Sequence, residues 1–228
     1  MKIRVFINKA VARLRRSHSK KRKITYNDLR SFGRKFAGTG KALVIYIEFP
    51  YDDLLPNADQ LPHFQNNCER YYPLLEKIAD SSYSVVVATG LIEHLKNPAR
   101  LIGECHRIVK PGGKVYFSAS SVFSVHRGPD DYYHHTRFGM QELMQTRPWK
   151  DLDIQGSCNP FKTTGILLQR ILLQCETRYW IRPFVHLLAH SMPLLDRCII
   201  NQYCDRSFSE KSKIDSMMPS NLQVIATK

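Results

Sequence analysis

Ser84-Val85-Val86-Val87-Ala88-Thr89-Gly90, followed by Leu91-Ile92-Glu93-His94-Leu95-Lys96-Asn97-Pro98, is the stretch that decides the fold. Five small or β-branched residues in a row, with no polar alternation, suit a strand buried on both faces of a parallel sheet. Thr89-Gly90 ends that strand. Asn97-Pro98 offers an N-cap and an N1 proline. Leu101, Ile102, Cys105, Ile108 and Val109 then recur at helical spacing, with Arg100, Glu104, His106 and Arg107 placed mainly outward. Lys110-Pro111-Gly112-Gly113 stops the helix and turns the chain into a strand from Lys114 to Ala119. The unit is strand–helix–strand, and it predicts an α/β fold.

Working outward, Lys41 to Ile47 reads as another buried strand. Gly40-Lys41 does not make a phosphate loop, because Lys35 stands where the first glycine belongs and the glycines precede the strand. A short strand is expected near Gln60 to Gln65. Downstream come a helix from Phe138 to Thr146, a strand around Leu152 to Gly156, an apolar helical block over 161–200 and a closing strand from Leu222 to Thr227. The block reads as a lid or dimer face, so a homodimer is one expected partner state. With the basic arm described next, the block also suits contact with a bilayer.

The chain has 228 residues and a net charge of +14. Ten of its 34 Lys and Arg lie in residues 1–23, which hold no acid, so the body is close to neutral. The basic excess thus belongs to an amphipathic arm with Ile3, Phe6, Ile7, Val11 and Leu14 at helical spacing, followed by a purely basic stretch. The division expected is arm 1–23 and domain 24–228. The arm suits an anionic membrane surface, and a nucleic-acid partner is disfavoured. The longest apolar run, Ala42 to Ile47, is far short of the roughly 20 residues of a membrane span. Six cysteines without C-x-x-C spacing read as free thiols of a cytoplasmic protein, peripheral to a membrane if the arm engages one.

Several of these stretches resemble the second half of class I S-adenosylmethionine-dependent methyltransferases of the type 11 group. They are Ser82 to Val87, Leu91 to Pro98 and Arg107 to Lys114, joined by Ala58-Asp59-Gln60-Leu61-Pro62 and by His126-Arg127-Gly128-Pro129-Asp130-Asp131-Tyr132-Tyr133-His134-His135-Thr136. The resemblance implies a Rossmann-like methyltransferase sheet with helices on both faces and a helical insertion before the last strand. It also implies S-adenosylmethionine as cofactor and a small molecule or a glycan or lipid intermediate as substrate. The chain departs from the family at the glycine-rich turn. If strand 41–47 is the family's first, Tyr46 and Glu48 stand where glycines are expected, with Ile47 between them. If it is the second, Glu48 is the ribose acid and the glycine-bearing strand is missing.

On that resemblance, Tyr46, Glu48, Asp59, Thr89, Gly90, Leu91 and His94 are the expected cofactor-binding residues. His126, Asp131 and Tyr132 are the expected catalytic ones, with a His beside an Asp suited to general-base work. No metal is expected. His134-His135 lacks an acid or Cys at ligand spacing, and His186 and His190 lack the Glu of a zincin helix. Two other functions stay open: an inactive methyltransferase-like binding protein, and a membrane-surface or nucleic-acid-binding protein led by its arm.

Overall fold

The computed structural model describes residues 34–35, 40–47, 55, 57–64, 66–202 and 216–228. The arm 1–23 and Glu48 lie outside them. The chain divides into two units, 1–38 with 49–56, and 39–48 with 57–228. Everything described below belongs to the second.

Its strands are β1 (Ala42–Tyr46), β2 (Asp59–Gln60), β3 (Tyr83–Thr89), β4 (Val109–Ser120), β5 (Asp151–Ser157) and β6 (Asn221–Thr227). They form one sheet in the order β2-β1-β3-β4-β6-β5. The first four are parallel, and β6 runs antiparallel between β4 and β5. This is the mixed, Rossmann-like α/β sheet that the resemblance implies. The all-buried run of β1 and the near-continuous burial of β3 are what a sheet covered on both sides requires.

The helices are α1 (Tyr72–Leu75), α2 (Pro98–Ile108), α3 (Arg137–Met144), α4 (Pro160–Gln174) and α5 (Arg182–Leu195). In α2 the buried residues are Pro98, Leu101, Ile102, Cys105 and Ile108, the stripe that the spacing predicts. Asn97 precedes Pro98 as expected, but its side chain makes no cap; its carbonyl accepts from the Tyr72 hydroxyl at 2.6 Å. The Thr136 hydroxyl does cap α3, accepting from the Gly139 N–H at 3.1 Å.

Lys110 to Gly113 differs from expectation, because it lies inside β4. Pairing with β3 jumps from Tyr83↔Val109 to Val85↔Lys114, so the stretch is a bulge within the strand. Gly113 is needed there for space. A Cβ on it would stand 2.8 Å from the Ser84 carbonyl oxygen.

The 161–200 block is a helical pair, α4 and α5. They meet at Gly165, where a Cβ would lie 2.7 Å from the Ala189 carbonyl oxygen. Asp196 closes the pair, its carboxylate accepting from the Phe161 and Lys162 N–H groups at the start of α4, at 2.9 and 3.1 Å. The outer side of the pair and its connection expose Tyr179, Trp180, Phe184, Leu187 and Leu194. No helix among the described residues is long and apolar enough to cross a membrane.

Candidate functional site

The direction of the chain reverses between β1 and β3: β1 leads outward to β2, while β3 leads the other way to β4. In an open parallel sheet, ligands bind outside the carboxyl ends of the strands at such a switch point. Here that place is bounded by Tyr46 at the end of β1, Thr89-Gly90-Leu91 at the end of β3 and Ser120 at the end of β4.

A short turn, Ile92–His94, follows β3 and carries two buried ionisable side chains. Glu93 reaches across to β4: its Oε1 accepts from the Ser120 N–H at 3.1 Å and from the Ser120 hydroxyl at 2.8 Å. Its carbonyl accepts from the Tyr132 N–H at 2.8 Å, which ties the loop after β4 over the site. Burial pushes the Glu93 carboxyl above its ordinary range. His94 places Nδ1 at 2.6 Å from the Asp130 carbonyl, and burial drives its pKa down to about 4, so the ring is neutral at pH 7.

The loop brings His126 and Asp131 together. The Asp131 carboxylate, 2% exposed, accepts from the His126 N–H at 2.8 Å. The same oxygen lies 3.3 Å from His126 Nδ1 and 3.4 Å from His134 Nε2. Burial lowers the pKa of His126 against the opposing pull of Asp131. The rings of His94 and His126 meet edge to face with centroids 4.9 Å apart. Of the expected residues, His94, His126 and Asp131 therefore form one cluster, with Glu93 as a fourth member that the sequence reading passed over. Its signal was present: an acid directly after a buried strand end, in an otherwise apolar turn.

Tyr132 contributes to this cluster through its backbone. Its exposed side chain turns away, and its hydroxyl donates to Asp130 Oδ1 at 3.1 Å. Asp59 is elsewhere. It accepts from the Tyr83 hydroxyl at 2.7 Å and pairs with Lys41 at 3.3 Å, both at the amino ends of their strands. The Tyr83 hydroxyl, then Lys41, hold its carboxyl below the ordinary range. A residue anchored at that end of the sheet cannot line the carboxyl-end crevice.

The glycine-rich turn is the part of a cofactor site that this structure replaces. Tyr46 ends β1, and Arg127, at φ 53°, donates to the Tyr46 hydroxyl at 3.0 Å and to the Phe64 carbonyl at 3.1 Å. β1 is hydrogen-bonded directly to β3, and β2, which leads into Leu61-Pro62, lies outside β1. That order suits the second register, in which β1 stands for the family's second strand, and it leaves no room for a strand between β1 and β3. The β3 side is different. Gly90 turns at φ 70°, and Thr89 Oγ1 is buried with no hydrogen-bond partner among the described residues, as are Glu93 Oε2, His94 Nε2 and Asp131 Oδ1. Unmatched buried polar atoms at a strand end fit a polar ligand there. The residues present thus fit a ligand along β3 and β4, and do not fit the usual backbone approach along β1.

Sheet, turn and crevice have the fold of class I S-adenosylmethionine-dependent methyltransferases, and the middle of the chain is similar to that family in sequence. Residues 54–117 match the family model described as "Methyltransferase domain". The chain is 35% identical over 78 residues to the ubiquinone biosynthesis O-methyltransferase of Pseudomonas paraeruginosa, an alignment covering 34% of this chain and 31% of that one. It is 26% identical over 138 residues to the protein of the same name from Acinetobacter baumannii, covering 55% and 56%. The chain thus spans a third to about half the length of these relatives. A SAM-dependent methyltransferase from Archaeoglobus fulgidus superposes with a TM-score of 0.51 at 12% identity, covering 91% of this chain and 94% of that structure, a likeness of fold.

Proposed function

We propose that the protein transfers a methyl group from S-adenosylmethionine to an oxygen of a small molecule. The observation that carries this reading is the coincidence of the family-matched segment, β2 to β4, with unpartnered buried polar atoms at the carboxyl ends of β3 and β4. When bound, the cofactor supplies an electrophilic methyl on a sulfonium. Thr89 Oγ1, the Gly90 turn and Leu91 hold it along β3, and Glu48 is the acid for its ribose. Glu93, His94, His126 and Asp131 form the acceptor end. His126, held by Asp131, meets the acceptor hydroxyl, and the loop 121–136 screens the reaction from water. Tyr132 and its backbone hydrogen bond to Glu93 keep that loop closed. The oxygen acceptor is chosen because the relatives named above are O-methyltransferases; a lipid-linked or glycan intermediate is the class to try first.

Cofactor affinity is expected to be weak, since β1 pairs directly with β3 and the glycine-bearing strand expected between them is missing. Calorimetry with S-adenosylmethionine and its demethylated product tests the reading, followed by transfer of labelled methyl to a panel of hydroxyl-bearing lipids, phenols and glycans. Binding of neither form at millimolar concentration would favour the inactive, partner-binding alternative.

A second reading concerns location. The exposed aromatic and aliphatic side chains of the α4–α5 pair, with the basic arm, favour attachment to an anionic bilayer. Adhesion to anionic vesicles should fall steeply from low to physiological salt. Vesicle binding that is insensitive to salt and to removal of residues 1–23 would count against the arm.

A further inference from the structure

Three side chains at the crevice are arranged as metal ligands. One ligand atom each from Glu93, His94 and His126 lies within 4.8 Å of the other two. Glu93 Oε2 and His94 Nε2 are buried and unpartnered among the described residues. A carbonyl only accepts hydrogen bonds, so the short contact of His94 Nδ1 with the Asp130 carbonyl puts the ring's proton on Nδ1 and a lone pair on Nε2. His126 is held in the same way, with Nδ1 at 3.2 Å from the Ser124 carbonyl and 3.3 Å from Asp131 Oδ2, which leaves Nε2 as its second nitrogen. Metal-bound histidines are oriented in this manner, by a carbonyl or carboxylate on the far nitrogen. Two buried acceptors facing no donor cost free energy, and a cation removes that cost.

The geometry points to a divalent first-row transition ion of the zinc type, held by Glu93 Oε2, His94 Nε2 and His126 Nε2. Two imidazoles and one carboxylate suit zinc, iron(II) or cobalt(II) better than magnesium or calcium, and three protein ligands leave a position open. Asp131 stands behind His126 as the orienting carboxylate, and His134 behind Asp131. Arg127 is near enough to His94 to oppose a cation, but its guanidinium is engaged by Tyr46 and Phe64, and the two carboxylates of Glu93 and Asp131 outweigh it. A competing trio of His126, Asp131 and His134 shares one histidine. The Glu93 trio is preferred because two of its ligand atoms are buried and unpartnered.

On the methyltransferase reading, on which this role alone rests, the open position takes the acceptor's oxygen. The ion makes that hydroxyl more acidic, and its proton passes to a water molecule before the methyl group arrives. His126 then acts as a ligand.

The test uses the full chain, stripped with chelator and titrated with Co2+ and with Zn2+, following visible cobalt absorption and metal content after dialysis. One equivalent per chain with tetrahedral or five-coordinate cobalt bands is expected. Glu93→Gln and His126→Gln should each weaken binding by at least roughly tenfold, while Asp59→Asn binds as the parent does. Glu93→Gln keeps an acceptor for Ser120, so its fold is expected to survive, and His126→Gln covers the case in which it does not. Less than half an equivalent bound, or binding unchanged in both variants, overturns the inference. Methyl transfer by the metal-free chain would defeat the ion's role in the reaction and leave the methyltransferase reading standing. One equivalent of metal with no cofactor binding would keep the metal site and defeat that reading.

Discussion

Arg127→Met is the substitution that most directly tests how the β1 end of the crevice is built. The guanidinium donates to the Tyr46 hydroxyl at 3.0 Å and to the Phe64 carbonyl at 3.1 Å, and it sits 5.5 Å from the centre of the Tyr46 ring. Hydrogen bonds from a charged donor contribute about 1.5–3 kcal/mol each. The side chain is half-buried, so solvent takes back part of this, and a total loss of about 2–3 kcal/mol is expected. Methionine keeps the aliphatic length and meets the same backbone demand at φ 53°, so the change isolates the guanidinium. Urea unfolding of the parent, Arg127→Met, Tyr46→Phe and the double variant gives the Tyr46–Arg127 coupling, expected at about 1 kcal/mol. The functional consequence has a definite sign. The sulfonium of S-adenosylmethionine is cationic, as is Arg127, so Arg127→Met should bind the cofactor more tightly than the parent does. A stability change under about 0.5 kcal/mol, with no coupling to Tyr46, would refute the bridge. Weaker cofactor binding would refute the charge argument.

Other expectations concern single contacts. Gly165→Ala forces a Cβ to 2.7 Å from the Ala189 carbonyl oxygen, and should destabilise the α4–α5 pair by about 1–3 kcal/mol, read by circular dichroism during urea unfolding. Asp196→Ala removes both acceptors at the start of α4 and should cost about 1–2 kcal/mol in the same assay. Asp59 has a folded pKa below its ordinary 3.8, so its contribution is present above that value and is lost as pH falls through the folded one. Unfolding curves of Asp59→Asn should therefore lose less stability than the parent between pH 5 and pH 2, and parallel profiles would show that the Tyr83–Asp59 bond does not form.

The local code was plain where burial and backbone chemistry act within a few residues. Ser84 to Ala88 announced a strand because an unbroken β-branched run has no exposed face to offer. Pro98 opened α2, and the apolar stripe from Leu101 to Ile108 told which side it buries. Even so, Lys110 to Gly113 was read as a stop when it is a bulge inside β4, since whether a glycine pair turns the chain or lets a neighbouring strand pass depends on Ser84, some thirty residues away. The candidate site followed the same division. His126 and Asp131 stood close together in sequence, and the structure joins them. Asp59 matched a family pattern but is fixed at the opposite end of the sheet by Lys41 and Tyr83, partners that only the strand register supplies. Glu93 and Arg127 carried no motif of their own. Glu93 matters because β4 brings Ser120 to it, and Arg127 because β1 ends in Tyr46, 81 residues earlier. Periodicity and turn chemistry are properties of neighbours along the chain, so the sequence alone determined strands, helices and their order. Which buried acceptors face one another without a donor is a property of neighbours in space, and only the packed sheet decided it.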